Sequence, residues 1–215
     1  MLVVLAKRPI KKDGASAMNS DDASSRRRSR REEPIGRCVR CTKGIRSFES
    51  ISVAGKGEFC YPCFNDDTAA ALGVRFDNAQ FEPLTLYDAG GRPHTFRIRS
   101  MLVPTGHEME ALEIQGDTAR GYHFQILGDF DDDAMALFGK LYERMRAGLA
   151  RQHVKRGRHG WQLTDDHRLT ARIDANLEDD ARLPLLVIDG KEFSLGTGGT
   201  HAHDLRGLYG RDDRP

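Results

Sequence analysis

The stretch Gly36–Gly73, "GRCVRCTKGIRSFESISVAGKGEFCYPCFNDDTAAALG", holds every cysteine of the chain in two C-x-x-C pairs. Cys38 and Cys41 form the first pair and Cys60 and Cys63 the second, with eighteen residues, 42–59, between them. This C-x2-C-x18-C-x2-C pattern lies within the spacing of a four-cysteine zinc site. Each C-x-x-C folds into a tight knuckle that turns two sulfurs toward one point, and the intervening loop brings the second pair round. Zinc then completes a tetrahedral thiolate shell, and its binding energy substitutes for a core that so short a segment cannot build. The expected cofactor is one structural Zn2+ per chain, held by Cys38, Cys41, Cys60 and Cys63.

The flanking residues fill in the module. "FESISV" and "GEFC" suit a hairpin across "AGKG", with Phe48, Ile51, Val53 and Phe59 available to cover the metal. "NDDTAAALG" suits a short helix with Asn65 as its cap and Gly73 at its stop. Knuckle, hairpin and helix in this order predict a treble-clef-like finger, with a rubredoxin-like or simple ribbon arrangement still open. A thioredoxin-type C-x-x-C stands alone after a strand of a βαβ unit, which is not the context here. Catalytic zinc keeps one position open for water, whereas four thiolates close the shell.

Outward from this module the composition changes. Residues 1–35 centre on "SDDASSRRRSRREEP", which cannot bury enough surface to offset its ordering entropy, so a disordered basic, Ser-rich leader is expected. Met18 offers a second start, so residues 1–17 need not belong to the native product. The run Arg26, Arg27, Arg28, Arg30 and Arg31 suits either a solubilising tail or non-specific phosphate contact. Overall, 33 basic against 32 acidic residues give a formal charge of +1, which supplies no global field toward nucleic acid or membrane. The opening apolar run is too short for a signal peptide and its charges follow rather than precede it, so a cytoplasmic location is expected. There thiols stay reduced, which disfavours a disulfide framework.

Residues 74–194 read as an α+β domain. "FEPLTLYD", "HTFRIRSML", "EMEALEI" and "GYHFQILG" give four strands of an antiparallel meander, with "AGGRP" and "QGDTARG" as connections. A long helix is expected within "DFDDDAMALFGKLYERMRAGLARQHVKRG", with aspartates at its start and Arg151, Lys155, Arg156 and Arg158 at its basic end. Phe138, Leu141, Tyr142, Met145 and Leu149 form its apolar stripe. "RLTARIDANL" and "LPLLVIDGKEF" follow as strands, Asp189-Gly190 is a tight-turn signal, and Ser194 stands where a helix N-cap would, just after a strand and turn. Residues 195–215 read as an irregular tail. The fold class is therefore α+β, with the small zinc module (36–73) followed by an antiparallel sheet carrying one long packing helix.

No further constellation carries chemistry. His201 and His203 form an isolated H-x-H, and Asp129, Asp131, Asp132 and Asp133 lack the Gly and Glu of a calcium loop. "GTGG" at Gly196–Gly199 lacks the Lys-Ser/Thr of a phosphate loop. The expectation is a protein without catalytic residues.

The two C-x-x-C pairs with "FCYPCFND", then "FRIRSMLVPTGHEMEALEI", "GYHFQILGDFDDDAMALFGKL" and "LPLLVIDGKEFS", resemble an uncharacterised bacterial family labelled "plasmid-related protein". The resemblance covers roughly residues 36–194. It implies a zinc-finger-like module joined to an α+β domain, and it implies no activity. It also implies an ending similar to "SWEE..RMLMTYEG", where this chain reads "SLGTGGTHAHDLRGLYGRDDRP". Thr200 to Leu208 can be written ACG CAT GCT CAT GAC CTA CGA GGG CTN, which one base on reads Arg-Met-Leu-Met-Thr-Tyr-Glu-Gly. A reading-frame shift near Ser194 and a naturally divergent tail both account for this. The expected function is a zinc-binding, non-enzymatic interaction protein with a protein partner. The alternative is a nucleic-acid-binding regulator using the Arg run, Lys43, Arg46 and Lys56 around the zinc module, and the basic helix end.

Overall fold

The computed structural model describes residues 36–116, 118–158, 160–164, 169–175, 184–194 and 203–204. The expected leader, the "GTGG" segment and, apart from residues 203–204, the tail after Ser194 lie outside the described residues. The chain divides between Cys60 and Tyr61 into a small and a larger unit.

Among the described residues the small unit contains two hairpins. β1 (Gly36–Arg37) pairs antiparallel with β2 (Gly44–Ile45), and β3 (Ser50–Val53) pairs with β4 (Gly57–Cys60). The second is the hairpin predicted across "AGKG". Ile45, Phe48, Ile51 and Phe59 are buried, while Val53 is only half-buried.

In the larger unit, α1 (Tyr61–Leu72) comes first and ends at Gly73, whose positive φ of 70° suits a helix stop. The helix begins four residues before Asn65, so Asn65 is not its cap. The antiparallel meander follows as β5 (Leu84–Tyr87), β6 (Pro93–Val103), β7 (Gly106–Gln115) and β8 (Thr118–Gly128), in sheet order β5-β6-β7-β8. Alternation along "FRIRSML" puts Phe96, Ile98, Ser100 and Leu102 on one face and Arg97, Arg99 and Met101 on the other. The first set is buried and the second half-buried. The connection predicted over "QGDTARG" is much shorter, because β7 and β8 run almost to their turn. A register shift between Leu112 and Ile114 absorbs the difference.

α2 (Ala134–Leu149) lies on this sheet through Leu137, Leu141, Met145 and Leu149, which pack with Phe96, Ile98, Met109 and Ala111. Asp133 caps it, its Oδ1 accepting the Ala136 N–H at 2.8 Å. The basic residues predicted at its end are elsewhere. The helix stops at Leu149 because the His153 and Val154 N–H groups donate to Asp189 Oδ2, at 2.7 and 2.8 Å. Val154 is thereby committed to a strand. β9 (Val154–Gly157) and β10 (Gly160–Leu163) form a hairpin that carries Lys155 and Arg156.

The last sheet is β11 (Arg172–Asp174), β12 (Leu185–Ile188), β13 (Lys191–Ser194) and β14 (His203–Asp204), antiparallel except for the parallel β13–β14 pair. The stretch "LPLLVIDGKEF" is a hairpin that turns at Asp189-Gly190, the tight-turn signal read in the sequence. Asp189 and Gly190, at φ 49° and 70°, form the left-handed two-residue turn that matches strand twist. Ser194 is the buried last residue of β13 rather than a helix cap. Val154, Ile188 and Phe193 make a second core, joined by Trp161, Leu163 and Leu186. The architecture is mixed α+β, with mostly antiparallel sheets and two α-helices among the described residues.

Candidate metal centre

The first knuckle closes through the backbone. Thr42 N donates to Cys38 O and Cys38 N donates to Lys43 O, each at 2.9 Å, with Thr42 in the left-handed region at φ 59°. Val39 N donates to Glu58 O, tying the knuckle to β4, where Cys60 is the last residue. Cys63 follows in the first turn of α1.

These turns bring together all four predicted ligands. The Sγ atoms of Cys38, Cys41, Cys60 and Cys63 lie within 4.8 Å of one another, and Cys41 Sγ is 3.7 Å from Cys60 Sγ. All four are free thiols, with Cys41 exposed and the others buried. A disulfide would hold two sulfurs about 2 Å apart. A tetrahedral shell with metal–sulfur bonds of about 2.3 Å instead has edges of about 3.8 Å. The cluster therefore has the dimensions of a metal site. Burial works to raise the Cys38 pKa, but hydrogen bonds from the backbone of Cys41, Cys60 and Arg40, together with the Cys41 side chain, hold it down at about 6. A thiol of this kind supplies the thiolate that a metal needs.

Other candidates fall to ordinary roles. Asp133 is the helix cap, and Asp132 Oδ2 accepts the Asp129 N–H at 3.1 Å and faces Lys140 Nζ at 3.8 Å. His201 lies outside the described residues, and so does the side chain of His203.

Three polar groups in the larger unit were not foreseen. His94, between Asp88 and Glu113, has Nε2 3.3 Å from Asp88 Oδ2 and Nδ1 2.8 Å from Glu113 Oε1. Glu113 Oε2 also accepts the Tyr122 N–H at 2.8 Å, beside the register shift. On the opposite sheet face, Glu110 Oε2 accepts from Arg99 Nε at 3.1 Å and also from Arg99 Nη2, and Oε1 pairs with His123 Nε2 at 3.1 Å. Burial alone would raise the Glu110 pKa, but His123 and Arg99 outweigh it and hold the carboxyl at about 2. The third group is Ser100 and His107, with Oγ and Nε2 2.6 Å apart. Both are buried, and desolvation keeps the His107 pKa below its usual value. Strand alternation could have signalled Glu113 and His94, because both fall on the face that carries Phe96 and Ile98.

Comparison with known proteins matches only the larger unit. The cysteines precede both matched segments. Searches of curated proteins and of solved structures find no match. Residues 77–150, spanning β5 to α2, match the family model described as Domain of unknown function (DUF7686). Residues 153–196, spanning β9 to β13, match that described as Domain of unknown function (DUF7713), so the chain is similar to an uncharacterised family that carries these two domains.

Proposed function

We propose that this chain is a non-enzymatic interaction protein whose N-terminal module is held together by one structural Zn2+. The observation that carries the reading is the convergence of four sulfurs within 4.8 Å. Cys38, Cys41, Cys60 and Cys63 would hold the ion. When bound, it would supply folding energy rather than reactivity, because four thiolates leave no position for water or substrate. The sequence order of two knuckle cysteines, hairpin, and two cysteines at a helix start supports a treble-clef-like arrangement. A cytoplasmic setting, where thiols stay reduced, suits the site. The resemblance to plasmid-related proteins suggests a protein partner from plasmid or mobile-element biology.

Metal analysis of the purified chain tests the reading, with about one zinc per chain expected. Cys60→Ser is expected to lose the metal and the folded module, and full zinc content with full stability in that variant refutes the site. Affinity capture with the zinc-loaded chain beside Cys60→Ser tests the interaction role. A partner retained only by the loaded chain supports it, and identical captures from both count against it.

A further inference from the structure

Asp77, from the loop after α1, and Asp131, Asp132 and Asp133, from the loop between β8 and α2, line one pocket of about 470 Å3. That volume is within the range of small-molecule sites. Phe76 and Phe130, both half-buried, add aromatic wall, and Arg75 is the only cation among the described lining residues. The helix cap accounts for Asp133, and the Asp129 amide with Lys140 accounts for Asp132. Asp77 and Asp131 are different. Both are exposed, and among the described residues neither has a hydrogen-bond or ion-pair partner. A helix dipole favours acids in the helix's own first turn, which leaves Asp77 unexplained. Four carboxylates around one hollow repel one another, and a bound cation relieves that cost.

His107 is a second, independent sign of a ligand. It lines the same pocket although it is only 2% exposed. Its Nε2 is taken by Ser100 Oγ at 2.6 Å, and Phe76 meets its ring edge-on at 4.8 Å. Its Nδ1 has no hydrogen-bond partner among the described residues. A buried polar atom left unmatched is costly, and a ligand atom in the pocket would match it. Desolvation keeps the imidazole neutral in spite of Asp132, so the ring does not repel a cation.

We propose that this pocket binds a primary alkylammonium ligand of the di- or polyamine class, with Asp77, Asp131 and His107 Nδ1 as its polar partners. An ammonium group carries donors only, which suits two carboxylates and a neutral imidazole nitrogen. Its positive charge and the methylenes beside it suit the rings of Phe76 and Phe130. A polyamine carries several such groups, so one molecule can engage the carboxylates of both loops. An anion fits poorly, because four carboxylates face Arg75 alone. A divalent metal also fits poorly, since the cysteines are the one group among the described residues that converges closely enough to hold an ion. All the lining residues belong to the larger unit, so the cysteine cluster contributes no atom to the pocket.

The test is calorimetric titration of the full-length chain with spermidine at low salt, followed in parallel by the NMR signals of the His107 ring. Saturable binding that weakens as salt is added is expected, with the His107 signals moving at the same affinity. D77N/D131N is expected to lose at least about tenfold in affinity, since it removes two charge-assisted partners. Its melting midpoint should not fall, because neither side chain makes a folding contact. If it does fall, D77N alone carries the test with a loss of about threefold. R75A removes the opposing cation and should tighten binding about two- to threefold. Absence of binding, parent-like affinity in D77N/D131N, weaker binding by R75A, or His107 signals that stay still would each overturn the proposal. Displacement of spermidine by equimolar Ca2+ overturns an amine as the ligand. Tighter binding of a capped Ala-Lys-Ala peptide than of spermidine overturns a free polyamine as the source of the ammonium.

Discussion

Replacing Asn65 should cost this protein a large part of its stability, although its local sequence suggests no more than a helix cap. β5 pairs with β6 only over Pro93–Phe96, so the rest of that β6 edge needs other partners. Asn65, on α1 and only 2% exposed, supplies them. Its Nδ2 donates to Ser100 O at 3.0 Å and to Asn78 Oδ1 at 2.9 Å, and its Oδ1 accepts the Leu102 N–H at 2.9 Å. The first and last are the two bonds that a residue of an adjoining parallel strand would make. Asn65→Leu keeps the volume and removes all three bonds. Two buried backbone groups are then left without partners at about 1–3 kcal/mol each, so the expected loss is about 3–5 kcal/mol. That is a large share of the roughly 5–15 kcal/mol that holds a domain together. Urea unfolding measures it as a lower midpoint at constant m. Asn65→Asp sharpens the test, because a carboxylate keeps the acceptor but faces Ser100 O and Asn78 Oδ1 with an oxygen. Protonation restores a donor, so the folded pKa of the new carboxyl is raised. The variant should therefore approach the parent's stability below about pH 4 and fall behind as pH rises. A Leu variant within about 1 kcal/mol of the parent would refute the strand-substitute role.

Other expectations follow from the same geometry. Glu110 has a folded pKa of about 2 against an unfolded value near 4.5, so its stabilisation is present above pH 4.5 and lost as pH falls toward 2. The loss is about 3 kcal/mol, and Glu110→Gln should flatten the fall in melting midpoint across that window. Gly190→Ala puts a methyl 2.8 Å from the Tyr122 ring at a backbone φ of 70°. A loss of about 2–3 kcal/mol is expected in denaturant, and an unchanged midpoint would show that the turn does not rest on β8. The codons of Thr200–Leu208 decide the origin of the tail, and a shifted frame that gives no amphipathic helix ends the frame-shift account.

The cysteines and the meander were legible because their signals are local. A C-x-x-C pair fixes its own knuckle, and alternation through Phe96 and Ile98 declares which side of β6 is buried. The boundaries set by distant partners were not. Basic residues after Leu149 read as the end of a helix, since nothing nearby shows that Asp189 will take the amides of His153 and Val154. Asn65 read as a cap because Asn favours that place, whereas its partners are Ser100 and Leu102, more than thirty residues away in sequence. The buried carboxylates Glu110 and Glu113 sit on strands whose alternation marks them as inward or outward, but not as paired. Their charge is tolerated only because Arg99, His94 and His123 arrive from neighbouring strands.

The asparagine that completes β6 also acts as a stopper. A strand edge with unmatched N–H and C=O groups is a template on which another chain can add. As long as α1 stays docked, Ser100 and Leu102 offer no such template. A treatment that loosens the start of α1, where Cys63 sits, should therefore do more than unfold one helix. It should expose a sticky edge and turn a local failure into concentration-dependent self-association.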